Sequence, residues 1–187
     1  MQNKKTLKLV MIALFTALTF IATQSLRIPL PNAFVHTGNV LVLLSVLLLG
    51  YPGGALAGGM GLAIFDLMNG YATEAPYFIL ESLIVGGVAW IFFHGIFKEK
   101  VTTTKDLWKI TVTAIFTGLA KIFMTQVKNI VVFLFAGADF PVAFTSATTR
   151  LPATFINVAV TIVLVTILFL PLEKMLARYQ LRKIKIS

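Results

Sequence analysis

The chain reads as an all-α integral membrane protein, a six-transmembrane-helix bundle with both termini cytoplasmic, forming one membrane domain over residues 1–187. Three observations predict this. First, 58% of the residues are hydrophobic and the mean hydropathy is +0.91, too apolar for a soluble domain of 187 residues. Second, apolar segments recur along the whole chain, broken only by short polar or Gly/Pro-rich stretches. Third, the basic residues are sorted. Lys4, Lys5 and Lys8, then Lys98, Lys100, Lys105 and Lys109, then Lys174, Arg178, Arg182, Lys183 and Lys185 form three clusters, and only Arg27 stands in the opposite set of loops. This positive-inside bias requires an even number of spans. A net charge of +9 and a pI near 10 would by themselves suit nucleic acid, but twelve of the sixteen Lys and Arg are clustered at the ends of apolar segments, which argues against that partner.

The first span, 7–26, follows a basic start but is too long for a signal-peptide core and lacks an Ala-x-Ala cleavage site, so it is kept as a helix. Ala13 and Ala17 stand one turn apart with Thr16 beside them, a small-residue surface that lets another helix approach closely. That helix can belong to this bundle or to a partner. Between Arg27 and Thr37, Pro29 and Pro31 exclude a regular helix. The second apolar run, 38–50, is short for a span, and Tyr51-Pro52-Gly53-Gly54 is a tight turn.

The third span, 53–70, carries a smooth stripe of Gly53, Ala57 and Gly61, with Gly54 and Gly58 beside it, and ends in Phe65-Asp66-Leu67-Met68-Asn69-Gly70-Tyr71. The fourth, 77–97, holds Glu81 one turn from its outer end with Tyr77 on the same face. The fifth, 107–135, contains Lys121 and Lys128, about 20 and 30 Å along a helix that begins at Leu107. Thr117 and Thr125 share their face. The sixth, 144–171, repeats the pattern with Arg150, Thr154, Asn157 and Thr161, and the basic tail beyond it is expected at the inner surface.

Charges within a span are costly, so these faces look at protein or water. Glu81, Lys128, Asn129 and Arg150 fall in the outer third of their spans and can converge, with Asn157 and Lys121 deeper. Tyr77 and the loop from Pro29 to Thr37, including His36, supply the cover. Such a pocket suits a small polar heteroaromatic solute. The plainer alternative stays open: a lysine paired with Glu81 or Asp66, or a Glu81–Arg150 salt bridge, that serves folding alone. There is no cysteine, and two isolated histidines, His36 and His94, make no metal site, so no metal or cofactor is expected. No P-loop, His-Glu-x-x-His or Gly-x-Ser-x-Gly motif occurs, so no catalytic residue is expected either. The chain is a binder that borrows its energy.

Six spans in so short a chain, Ala13-Leu14-Phe15-Thr16-Ala17 on the first, the glycine-rich third, and Phe65-Asp66-Leu67-Met68-Asn69-Gly70-Tyr71 followed by Pro76 resemble the S components of energy-coupling factor (ECF) vitamin transporters. The resemblance covers nearly the whole chain. It implies a multi-pass protein of a bacterial cell membrane that captures a water-soluble vitamin from outside. It also implies docking through Ala13 and Ala17, with Thr16 beside them, on a transmembrane T component that two ATPases energise. The overall pattern is most similar to the pyridoxine or hydroxymethylpyrimidine branch, with riboflavin and pantothenate as alternatives. A rival of another class is a self-sufficient ion-coupled carrier in which Lys121, Lys128 and Glu81 relay protons. The few ionisable groups in the inner halves of the fourth and sixth spans count against it.

Overall fold

The computed structural model describes residues 4–30 and 33–178. Pro31, Asn32 and the end of the basic tail, with Arg182, Lys183 and Lys185, lie outside the described residues. The helices are α1 (Lys4–Ser25), α2 (Gly38–Leu49), α3 (Gly53–Met68), α4 (Ala75–Trp90), α5 (Leu107–Phe135), α6 (Phe140–Thr148) and α7 (Leu151–Arg178). A π-helical turn, Ile91–Ile96, prolongs α4, and a 3₁₀ turn, Thr104–Asp106, leads into α5. With that turn α4 joins α1, α5 and α7 as the four helices among the described residues that are long and apolar enough to cross a membrane. The shorter α2 and α3, of 12 and 16 residues, are apolar as well.

Two features differ from the sequence expectation. The segment between α1 and α2, read as irregular, forms an antiparallel hairpin of β1 (Arg27–Leu30) and β2 (Ala33–His36), with Arg27 opposite His36. Pro29 disfavours a helix but is tolerated in a two-stranded ribbon that needs few ladder bonds. The span expected to run unbroken over 144–171 is two helices. Pro152 has no N–H, and its ring would clash with the carbonyl four residues back, at Thr148, where α6 ends. The chain restarts as α7 with Pro152 in its first turn, a position proline favours. This break places Arg150 between two helices. At the other end α7 runs on through Pro171 to Arg178.

The centre of the bundle is α2, every residue of which except Leu41 is buried. It packs against α3, α1, α7 and α4. The glycine stripe permits this approach: a Cβ at Gly58 would lie 2.7 Å from Val42 Cα on α2, and one at Gly61 would lie 2.6 Å from the Thr16 carbonyl on α1. Two side-chain bonds hold the same seams, Ser45 Oγ donating to the Gly54 carbonyl at 2.7 Å and Thr16 Oγ1 to the Ala57 carbonyl at 3.0 Å. Leu44, Leu47, Ile110, Val165 and Phe169 fill the apolar core away from the hairpin. The buried Asn39, Asp66, Asn129 and Asn157 gather at the hairpin end instead. The fold thus separates an apolar foot from a polar head.

Candidate functional site

The polar head encloses a cavity of about 580 Å³. Its walls come from the hairpin (Arg27, Phe34, His36), the end of α3 (Phe65, Asp66), Glu74 before α4, the second half of α5 (Lys121, Thr125, Lys128, Asn129) and the start of α7 (Thr154, Asn157), with Arg150 at the α6–α7 break. Of the residues singled out in the sequence, Lys121, Lys128, Asn129, Arg150, Asn157 and His36 meet here. Tyr77 and Glu81 do not line it.

Glu81 lies beneath the cavity, 2% exposed, where three donors converge on it. Lys121 Nζ approaches Oε2 at 2.6 Å, while Tyr77 Oη and Thr125 Oγ1 donate to Oε1 at 2.8 and 3.3 Å. A buried carboxylate is tolerated only when paired and hydrogen-bonded in this way. Below the pair is a void of about 30 Å³ lined mainly by apolar residues, including Val42, Leu43, Val46, Val85 and Val158. The Lys121–Glu81 pair is therefore the floor of the cavity. Lys128 pairs with Glu74, in the turn before α4, and its ammonium lies 5.4 Å from the Tyr77 ring centroid and 5.5 Å from that of Phe78. The folding pair allowed for between Lys121 and Glu81 is present; no Glu81–Arg150 bridge is.

Arg150 reaches Asn129 Oδ1 at 3.5 Å and stacks over Phe133 at 5.1 Å, with no carboxylate within ion-pair distance among the described residues. Asn157 grips the hairpin. Its Oδ1 accepts the His36 backbone N–H at 2.8 Å and its Nδ2 donates to the Phe34 carbonyl, also at 2.8 Å. Arg27 adds to that grip, its guanidinium lying 5.3 Å from the Phe34 ring and 5.5 Å from that of Phe65.

Sequence reasoning missed Glu74, Arg27, Asn39 and Thr23 as lining residues. Arg27 carried a signal, being the one basic residue outside the clusters and the spans. Glu74 sits in a turn, where helical periodicity has nothing to say. The expected docking residues separate: Ala13 and Ala17 are exposed, whereas Thr16 turns toward α3.

Burial first, and the nearby Lys121 charge second, hold the His36 imidazole down at about 4. The neutral ring suits its contact, since Nδ1 accepts the Gly38 N–H at 3.2 Å. The sign follows directly. The unfolded chain takes up this proton below its ordinary value of 6.5 while the folded chain resists to about 4, so stability falls as pH drops through that window. The slope is at most about 1.4 kcal/mol per pH unit. Melting temperatures from pH 7.5 to 5 are expected to fall more steeply for the native protein than for His36→Asn; parallel slopes would refute the assignment.

A family model described as ECF-type riboflavin transporter, S component, matches residues 3–174. The thiamine precursor transporter HmpT of Lactococcus lactis subsp. cremoris (strain MG1363) is 32% identical over 97 residues, 49% of this chain and 55% of that protein. The chain thus matches about half the length of this curated relative. No solved structure matches. With the family model covering nearly its full length, the chain belongs to the family of ECF-type riboflavin transporter S components, a family of membrane transporter subunits rather than enzymes.

Proposed function

We propose that this S component captures a small hydroxylated heteroaromatic ring, hydroxymethylpyrimidine first and pyridoxine next, in the cavity at the hairpin end. In this reading that end faces outward, the chain crosses the bacterial cell membrane six times, and both termini are cytoplasmic. Docking on a T component with two ATPases then drives uptake.

The observation that carries the reading is the content of the cavity wall. Charged and amide groups from five elements meet beside the rings of Phe34, Phe65 and Phe78, the mixture that orients a flat polar solute. The relative described as a thiamine precursor transporter supports a substrate of that class. A second reading, riboflavin, draws on the volume, since about 580 Å³ exceeds what a single small ring needs. An ion-coupled carrier is less well supported: below Lys121 and Glu81 the smaller void is mainly apolar and offers no relay toward the other side.

Calorimetry on the purified chain tests the site. Hydroxymethylpyrimidine, pyridoxine and riboflavin are each titrated into the native protein and into Lys128→Ala and Arg150→Ala. Removing a charged hydrogen-bonding partner typically costs about 1.5 to 3 kcal/mol, so each variant is expected to bind roughly tenfold or more weakly. Unchanged affinity in both variants would remove this cavity from consideration. Tighter binding of riboflavin than of either smaller ring would select the second reading.

A further inference from the structure

Asp66 is the charged group around the cavity whose carboxylate has no assigned contact. It stands in the last turn of α3, 5% exposed, and its Oδ2 has no hydrogen-bond partner. The other carboxylates there are answered, Glu81 by three donors and Glu74 by Lys128. Arg27 is engaged elsewhere, donating to Asn69 Oδ1 at 3.4 Å and covering two phenyl rings.

Folding alone gives no reason for a carboxylate at this position. Its own backbone carbonyl accepts the Tyr71 N–H at 2.8 Å as the helix ends, which sets the side chain at the negative pole of the helix dipole. Burial opposes the charge as well, and buried polar atoms are as a rule satisfied. Around it the wall is aromatic. Phe65 precedes it in the chain, and Phe34 meets Tyr71 edge to face at 6.0 Å, all three rings lining the same cavity. An acceptor beside flat apolar surface is complementary to a ring that carries donors on one edge.

We infer that Asp66 is the specificity-determining contact of the cavity, accepting from the amidine-like edge of an aminopyrimidine: the exocyclic amine together with a protonated ring nitrogen. Two N–H groups in one plane match the two oxygens of a carboxylate, and such charge-assisted pairs are the strong ones. A ring of the same size that lacks the amine leaves Asp66 unsatisfied, and sites built for a hydrogen-bonding group reject analogues without it most strongly. The inference rests on the reading of this cavity as the vitamin site and deepens it.

The test pairs two ligands with two proteins. Hydroxymethylpyrimidine and its analogue with hydrogen in place of the amine are titrated calorimetrically into the native protein and into Asp66→Asn, which keeps the shape and removes the charge. The native protein is expected to prefer the amine by about tenfold or more, and Asp66→Asn to reduce that preference below about threefold. Melting temperature, measured alongside, is expected to stay level or rise, because an unpaired buried charge has gone. Asp66→Ser, scored in the same way, stands in if the amide variant does not fold. Retention of the amine preference without Asp66 overturns this inference alone and leaves the vitamin site standing. Failure of both ligands to bind the native protein overturns it together with the reading of the cavity.

Discussion

Glu81→Ala is expected to destabilise the folded chain by about 3 to 5 kcal/mol, the range for breaking a buried ion pair from one side. The carboxylate is 2% exposed and satisfied by Lys121, Tyr77 and Thr125, so its loss strands an ammonium and two hydroxyls at the floor of the cavity. Lys121 would lose its counter-ion with its side chain only 15% exposed and its ammonium 5.8 Å from the Phe78 ring. Removing both partners is a different experiment. In Glu81→Leu combined with Lys121→Met no charge is left unpaired, and most of the lost stability is expected to return, since apolar replacements of a buried pair are often neutral. Glu81→Gln, which preserves the shape, is expected to bind vitamin with little change, because Glu81 lies outside the wall of the larger cavity. Thermal unfolding in nanodiscs, with calorimetry on the Gln variant, decides the matter. A Glu81→Ala protein as stable as the native chain would show that the pair is not structural, and a large affinity loss in Glu81→Gln would return Glu81 to the ligand's first contacts.

Much of the fold was legible because lipid and helix geometry leave a sequence few choices. The fifth span was expected over 107–135 and α5 occupies Leu107–Phe135, for the apolar run is bounded by Asp106 and Gly137. Helical periodicity also placed Lys121, Lys128 and Asn157 on inward faces, and all three line the cavity; Arg150 lines it too, but from the α6–α7 break rather than from the helix face that was expected. What periodicity cannot supply is the partner. Asn157 was read as a ligand contact, yet both ends of its amide bond the backbone of the hairpin, more than a hundred residues away in sequence. Glu81 was placed with Lys128 on depth alone, whereas Lys128 takes Glu74 and leaves Glu81 to Lys121. Depth along a helix fixes height in the bundle but not rotation about the axis. The break at Arg150 carried a local signal in Pro152, outweighed in the reading by the apolar run around it.

Ala13→Trp is expected to reduce ATP-driven uptake to background while leaving vitamin affinity within about twofold of the native value. The geometry separates two faces of α1. Met11, Phe15, Thr19 and Thr23 are buried against the bundle, and Thr16 is tied to the Ala57 carbonyl of α3. Ala13 and Ala17 face away, exposed, with Leu14 and Leu18 beside them, and none of these four lines the cavity. Lipid alone places no demand for small residues on such a face, whereas a second helix approaching to about 8 Å does. An indole at position 13 fills the space that approach requires and touches nothing in the chain's own core. Leu119→Trp on α5 is the control, equally outward-facing at 55% exposed but with the large, exposed Ile115, Phe116 and Phe123 on its face in place of a small-residue groove, and it is expected to transport normally. The measurements are uptake into liposomes holding the chain with the T component and two ATPases that the proposed function calls for, recovery of that complex by affinity purification, and calorimetry on the isolated variant. Normal uptake by Ala13→Trp would remove this face from docking, and loss of vitamin binding in the isolated variant would show that position 13 supports the chain's own core after all.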